Sequence, residues 1–477
     1  MLAALGPFIP SCTYDKAEPD TQEFPADIAS IILTKCASTG CHDDQSKEAA
    51  GGLSLSSWNN MFLGDRSGAV VVPYQFRQSE IYLFTNTYAD LGVTNTPVMP
   101  YNQEPLSRQE VLKLRYWINE GAPNKDGFIK FSDDPYRKKY YVANRGCDLV
   151  AVMELSTNLI MRYVQVGNSI FIESPSQILI SPDGEYWYVV FSEGDIIQKF
   201  RTSDDSFVSS LYLGFGEWNS LCITADSRYA FVVNGEADGQ IAIVDLSDLS
   251  LLKMYGGGML FQSPQGVSVN DNSDAVFIGF KSGNFLYKMD ISDMLNATID
   301  TVVLEAGQPA STISKYDPKI VFLHPNQSKY FVICPGTNEV RVLDTSTDNL
   351  IAVIAAGTHP QSFSYSSSFD YLFIANTEDT VSFAGKRGSV SVLDCQSNAL
   401  IQTIYTGAQP YGMAINAVNQ QLIVANRNFN SDGPKPHHAT ECEGRNGYLT
   451  YLDINSLTMV AGKKYEISVD PNSVQVR

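Results

Sequence analysis

The sequence predicts a small all-α segment followed by an all-β seven-bladed propeller, on three observations. From Tyr140 onward one strand pattern recurs at intervals of roughly 45 residues, the length of a four-stranded propeller blade. Ahead of it, two cysteines and a histidine fall within Cys36-Ala37-Ser38-Thr39-Gly40-Cys41-His42. The strand missing from the start of the repeat reappears at the C-terminus, as Asp470-Pro471-Asn472-Ser473-Val474-Gln475-Val476. The boundaries that follow are residues 1–24 as a leading tether, 25–124 as the small segment, 125–138 as a linker and 139–477 as the propeller.

The whole chain of 477 residues is acidic, with 52 Asp and Glu against 33 Lys and Arg and a net charge of −19. That excess argues against binding nucleic acid or an anionic membrane surface, and it suits docking to a basic protein partner. No apolar run approaches the ~18–20 residues of a membrane-spanning helix. Residues 1–12 are apolar and lack a basic start, as in the tail of an export signal. Ile9-Pro10-Ser11-Cys12 resembles a bacterial lipoprotein cleavage site, which would make Cys12 the lipidated first residue of the mature chain. The polar, acidic stretch from Thr13 to Glu23 suits a tether.

In the segment 25–124, Asp27 is placed to cap a helix carrying Ile28, Ile31 and Ile32 on one face. Ser107 and Glu110 form the sequence of a capping box ahead of Val111, Leu114, Trp117 and Ile118, and Gly121 stops that helix. Two thiols followed at once by an imidazole are what covalent haem attachment requires, although the usual spacing is two residues between the cysteines and here it is four. Met99 stands between Pro97-Val98 and Pro100, in a loop stiffened by proline, and offers a thioether. Trp58, Phe62, Tyr74, Phe76, Tyr82, Phe84 and Tyr88 either wall a crevice or fill a small core. Read from residues alone, the alternative is a local Cys36–Cys41 disulfide with His42 as a surface histidine.

Taken together, the Cys…Gly-Cys-His stretch, Gly51-Gly52-Leu53-Ser54-Leu55, Val98-Met99-Pro100 and the closing Trp117-Ile118…Gly121-Ala122 helix resemble bacterial cytochrome c domains with an expanded haem motif. The resemblance covers about residues 25–123. It implies haem c bound by Cys36 and Cys41, with His42 and Met99 as the axial iron ligands.

The propeller unit opens with a proline-led strand, at Pro175, Pro264, Pro318, Pro360 and Pro410, with Trp218 in that place once. An aromatic and β-branched second strand follows, and a third strand ends on an acid: Glu154, Asp245, Asp290, Asp344, Asp394 and Asp453, with Arg201 once. The strands read as half-buried, alternating apolar and polar positions. The acids are expected to begin turns by bonding their own backbone. Closing the ring with the C-terminal strand leaves no open sheet edge. Tyr141-Val142-Ala143-Asn144, Phe231-Val232-Val233-Asn234, Phe373-Ile374-Ala375-Asn376 and Ile423-Val424-Ala425-Asn426 make residues 140–477 resemble YVTN-type propeller repeats, which says little about activity.

His359, His437 and His438 are expected on one face of the propeller, as a metal or second-cofactor site or as solvent-facing loop residues, and His324 on the other face. Cys147 and Cys442 fall in equivalent loops of the first and seventh blades, which ring closure makes neighbours. They either pair in an oxidising compartment or remain free. Cys222 reads as buried packing, and Cys334 and Cys395 end strands with no obvious partner.

The function expected from this reading is electron transfer by an exported c-type cytochrome, anchored by lipid in the periplasm or at the outer membrane or cell surface of a bacterium, with the propeller as a docking scaffold. A haem-fed oxidoreductase with a catalytic site on the propeller face is one alternative. A surface binding lipoprotein without a redox role is another.

Overall fold

A computed structural model describes residues 21–256, 261–313 and 315–477. The expected lipidation residue, Cys12, lies outside them. The chain is mostly β. Among the described residues, seven four-stranded antiparallel sheets form the seven blades of a propeller, and α-helices are few and short.

The ring closes through the C-terminus. The strand Pro471–Val476 pairs antiparallel with Lys139–Asn144 and so supplies the inner strand of the first blade, with Tyr141 opposite Gln475 and Val142 opposite Val474. Arg427, from the seventh blade, locks this seam by pairing its Nε and Nη2 with Asp470 at 2.5 and 3.0 Å.

Each blade grades from buried to exposed. The second strands, such as Tyr229–Asn234 and Tyr371–Asn376, are almost continuously buried, whereas the outer strand Phe207–Tyr212 is largely exposed. Half-burial was expected throughout. The second strands depart from it because both of their faces pack on neighbouring blades, which favours unbroken apolar runs. The leading prolines have a local consequence. Pro lacks an N–H, and the ladder slips by a bulge just after Pro175, Pro264, Pro360 and Pro410. The residue before each such proline is left-handed, as at Ser174, Ser263, Asp317, His359, Gln409 and Asp470. The acids ending the third strands begin turns: Asp245, Asp290, Asp344, Asp394 and Asp453 each accept backbone N–H groups two or three residues on.

Residues 21–138 are built differently. Among the described residues this unit has four α-helices: α1 (Ala26–Ile31), α2 (Trp58–Met61), α3 (Glu80–Thr85) and α4 (Arg108–Asn119). The rest is turn, loop and single helical turns, so an all-α domain in the usual sense is not evident. Side chains rather than long helices hold it together. Trp58 and Trp117 donate their ring N–H groups to the carbonyls of Ala122 and Pro123, each at 2.9 Å. Asp27 does not cap α1. Pro25, with φ of −55°, holds the N-cap position two residues earlier, and Asp27 falls in the first turn, where its charge still suits the helix dipole. The Ser107–Glu110 capping box forms in both directions. At Gly121 φ is +95° and a Cβ would come within 2.8 Å of Ile129, so glycine ends α4 on both grounds.

The segment 125–138 is packed rather than free: Phe128 lies edge-on to Trp58, and Phe131 is buried with Tyr141 and Trp187. The unit seats on the propeller beside the ring seam. Val72 joins the core of the first and seventh blades, Arg77 pairs with Glu441 at 2.7 Å, and Asn95 exchanges two hydrogen bonds with the backbone of Ala439.

Candidate functional site

The cysteine–histidine stretch starts where α1 runs out. The backbone widens into one π-type turn over Ile32–Cys36, which leaves Cys36 buried. The extra residues between the cysteines are taken up in a tight turn. Cys41 donates its N–H to Ser38 O at 2.9 Å, and Gly40 between them has φ of +87°. Asp43 ties the turn down by accepting from the N–H groups of Gly40, Gln45 and Ser46. The turn returns the chain so that the His42 N–H donates to Cys36 O at 3.2 Å. Leu55 N–H in turn donates to His42 O at 2.8 Å. From the other side, Met99 N–H donates to Phe84 O at 2.9 Å, tying the proline-flanked loop to α3.

Cys36, Cys41, His42 and Met99 thereby line one cavity of about 640 Å³, inside the ~300–1,000 Å³ range of cofactor pockets. Its wall is mainly apolar and includes Leu53, Leu55, Val70, Ile81 and Phe84. The two thiols are not joined to each other. Burial, with the neighbouring Cys41 next in weight, pushes the Cys36 thiol up to about 12. Burial pulls the His42 imidazole below its ordinary value, against the opposing pull of the Leu53 backbone. The ring's Nδ1 is buried and has no hydrogen-bond partner. Of the aromatic residues considered for the wall, Phe84 reaches the cavity, while Trp58, Phe62, Phe76 and Tyr82 fill the unit's core.

The propeller contributes to the same place. His437 lines the cavity, with Asp65 and Glu80 beside it. The loop of residues 428–446 that carries His437 and His438 is held at its far end by a Cys147–Cys442 disulfide, Cα–Cα 5.5 Å. Glu466 accepts the backbone N–H of His437 at 2.6 Å and of His438 at 3.3 Å. Burial raises Glu80 to about 7, opposed by its contact with His437. The same contact holds His437 above its ordinary value, and burial pulls His438 below it.

His359 does not join them. It is the left-handed residue before Pro360, its N–H donates to Asn338, and its ring meets the Gln361 amide. The repeat fixes its place, as it fixes Asp470 at the seam. His324 Nε2 lies 2.7 Å from Asp370 Oδ1. Cys222, Cys334 and Cys395 are buried and free. Sequence reasoning missed Glu80, Asp65 and Glu466, and it gave His437 no part in the cysteine-lined cavity. No spacing links residue 80 to residue 437, and only the docking of the two units does so.

No protein-family model and no curated protein matches the sequence. Among solved structures, the chain is similar to a functionally unknown protein from Desulfotomaculum acetoxidans, with 13% identity and a TM-score of 0.53 over 71% of this chain and 98% of that one. It is similar to a candidate 6-phosphogluconolactonase from Bacteroides uniformis, with 14% identity and a TM-score of 0.53 over 72% of this chain and 99% of that one. At such identities the likeness concerns the fold alone.

Proposed function

We propose that this chain is an exported c-type cytochrome that transfers electrons through one haem held covalently by Cys36 and Cys41, with the propeller as the scaffold for docking. The observation that carries this reading is the convergence of Cys36, Cys41, His42 and Met99 on one mainly apolar cavity. The residues suit the group: both thiols are free for thioether bonds, His42 holds a buried ring nitrogen without a partner, and Met99 offers a sulfur from a stiff loop. Bound there with His/Met ligation, haem c would supply a one-electron couple of raised potential.

The chain's own residues do the rest. The hydrogen bonds from Leu55 to His42 and from Met99 to Phe84 fix the two ligand-bearing segments from opposite sides. Leu53, Leu55, Val70, Ile81 and Phe84 exclude water from the space between them. The acidic balance of the chain supports a basic redox partner. The Cys147–Cys442 disulfide supports an oxidising compartment, the periplasm or cell surface, where a lipid on Cys12 would tether the protein.

The test is a denatured mass and a visible spectrum of protein made in a host competent for haem attachment. One haem increment is expected, and Met99→Ala should lose the sulfur-to-iron band and lower the potential. A mass without the increment, or a Cys36–Cys41 disulfide in protein from that host, overturns the reading.

A further inference from the structure

We propose that Glu80, His437 and His438 form a binding site for one divalent first-row transition-metal ion, which bridges the N-terminal unit to the propeller. Glu80 comes from α3 and the two histidines from the seventh-blade loop, so the site exists only in the docked protein. It uses none of the four residues proposed to hold haem, although Glu80 and His437 line the same cavity.

Geometry is the first argument. The donor atoms of the three residues all lie within 4.8 Å of one another. His437 Nδ1 is 3.6 Å from Glu80 Oε2, and His438 Nδ1 is 3.7 Å from Glu80 Oε1. Both separations are too long for a good hydrogen bond. They are close to the ~3.3–3.4 Å between two ligands held ~2.0–2.1 Å from a tetrahedral ion. Imidazole nitrogen and carboxylate oxygen are donors suited to zinc, ferrous iron and their neighbours rather than to calcium or magnesium.

The second argument is an unsatisfied atom. The His438 side chain is only 9% exposed, and its Nδ1, 3.3 Å from Glu466 Oε1 and 3.7 Å from Glu80 Oε1, makes a hydrogen bond to neither. A buried ring nitrogen facing a carboxylate without bonding it needs an explanation, and a shared ion supplies one. The third is charge. Asp65, Glu80 and Glu466 gather here, with Asp65 beside Glu80. Among the described residues no lysine or arginine forms an ion pair with any of the three. A divalent cation would relieve that concentration of carboxylates.

The surroundings resemble the outer shell of a metal site. Glu466 accepts both histidine backbone N–H groups and also accepts from Asn446 Nδ2 at 2.9 Å, while Asn446 donates to His438 O at 3.0 Å. The Phe84 ring packs on His437 with centroids 5.0 Å apart. Main chain and ring are thus held before an ion arrives, as supporting shells do elsewhere. The other group with suitable donors, His324, Asp370 and Cys395, has its imidazole already engaged by a 2.7 Å contact to Asp370 and by the Asn326 N–H, and provides a control.

The full-length protein would be stripped with a chelator, which leaves covalent haem in place, and then titrated with Zn²⁺ in competition with a chromophoric chelator. One equivalent should bind tightly, and Co²⁺ in its place should give a visible ligand-field spectrum. His438→Gln and Glu80→Gln should each weaken zinc binding by roughly 100-fold or more, and His324→Gln should leave it unchanged. Zinc should raise the melting temperature of the wild type. Because the wild-type titration needs no variant, misfolding of a mutant cannot rescue the idea. Failure of the stripped wild type to take up one equivalent overturns it, and so does full retention of binding in a folded His437→Gln/His438→Gln double variant.

Discussion

The propeller and the unit in front of it solve the problem of burying a backbone in opposite ways. In the propeller, seven sheets satisfy their own main chain by ladders, and blade meets blade through second strands such as Tyr229–Asn234 that are buried on both faces. In residues 21–138 the helices are short, and single side-chain-to-backbone bonds from Trp58 and Trp117 close the core. The consequence is functional. A ladder fixes each residue beside its register partner, whereas an irregular unit can bring Cys36, His42, Phe84 and Met99 from separate segments to one cavity. The contrast teaches that the ladders fix position, while the irregular segments, the seventh-blade loop among them, gather side chains from distant parts of the chain.

If the ring is one cooperative ladder, cutting its last strand should have the largest effect. Deleting residues 468–477 removes the strand paired with Lys139–Asn144 and also the Asp470 partner of Arg427. Loss of cooperative unfolding or aggregation is expected in thermal melts, because an unpaired inner edge recruits other chains. A melt like that of the full chain would show that the ring does not depend on its seam. Next in size is the pair Lys139–Asp205, whose side chains are 3% and 1% exposed. Lys139→Met leaves the Asp205 carboxylate with the Tyr141 hydroxyl and the more distant Arg162. A loss of about 3–5 kcal/mol is expected in denaturant titrations, and a loss below about 1 kcal/mol would mean the pair is solvated. Cys147→Ser/Cys442→Ser should cost about 2–4 kcal/mol, the usual range for a native disulfide and below the ~5–6 kcal/mol of the chain-entropy model for a separation of 295 residues. The same substitution should loosen the loop of residues 428–446 where it meets the N-terminal unit. Hydrogen exchange at Ala439 reads that directly, since its N–H is bonded to Asn95.

What could be read from sequence divides along the same line. Ring closure by Asp470–Val476, the proline-led inner strands and the turn-forming acids were all legible, because each rule is local and repeats. The capping box at Ser107 and Glu110 was legible for the same reason. The start of α1 lies two residues before the expected one, because Pro25 takes the N-cap position in place of Asp27. The small amount of helix in residues 21–138 was not legible either: side-chain bonds of long sequence separation, such as Trp58 to Ala122, replace helix packing there. The approach of Glu80 to His437 and His438 had no sequence signal, since it depends on how two units dock.

The smallest expected effect turns on a carboxylate that departs from the repeat. The third-strand acids Asp245, Asp290, Asp344 and Asp453 are held below the ordinary carboxylate range by hydrogen bonds from the serines and threonines that follow them. Asp148 stands outside that pattern. It follows Cys147 in a left-handed conformation and accepts the N–H groups of Glu173 and Ser174, both at 2.8 Å. Burial nonetheless raises it to about 6, assisted by the charges of Glu173 and Glu193, while those two N–H bonds pull the other way. A carboxyl raised on folding holds its proton more tightly in the native state than in the unfolded one. Its contribution is therefore complete below about pH 4, the unfolded value, and is lost as the pH climbs through about 6. The turn acids run in the opposite sense, adding stability as the pH rises from the acid side. Comparing the wild type with Asp148→Asn separates the two. The stability advantage of the wild type over the variant should shrink between pH 4 and 6, by about 1 kcal/mol after allowance for solvent screening. The turn acids are common to both proteins and cancel. A difference that stays flat over that window would mean that Asp148 is ionised in the fold at pH 4, with its two N–H bonds outweighing its burial.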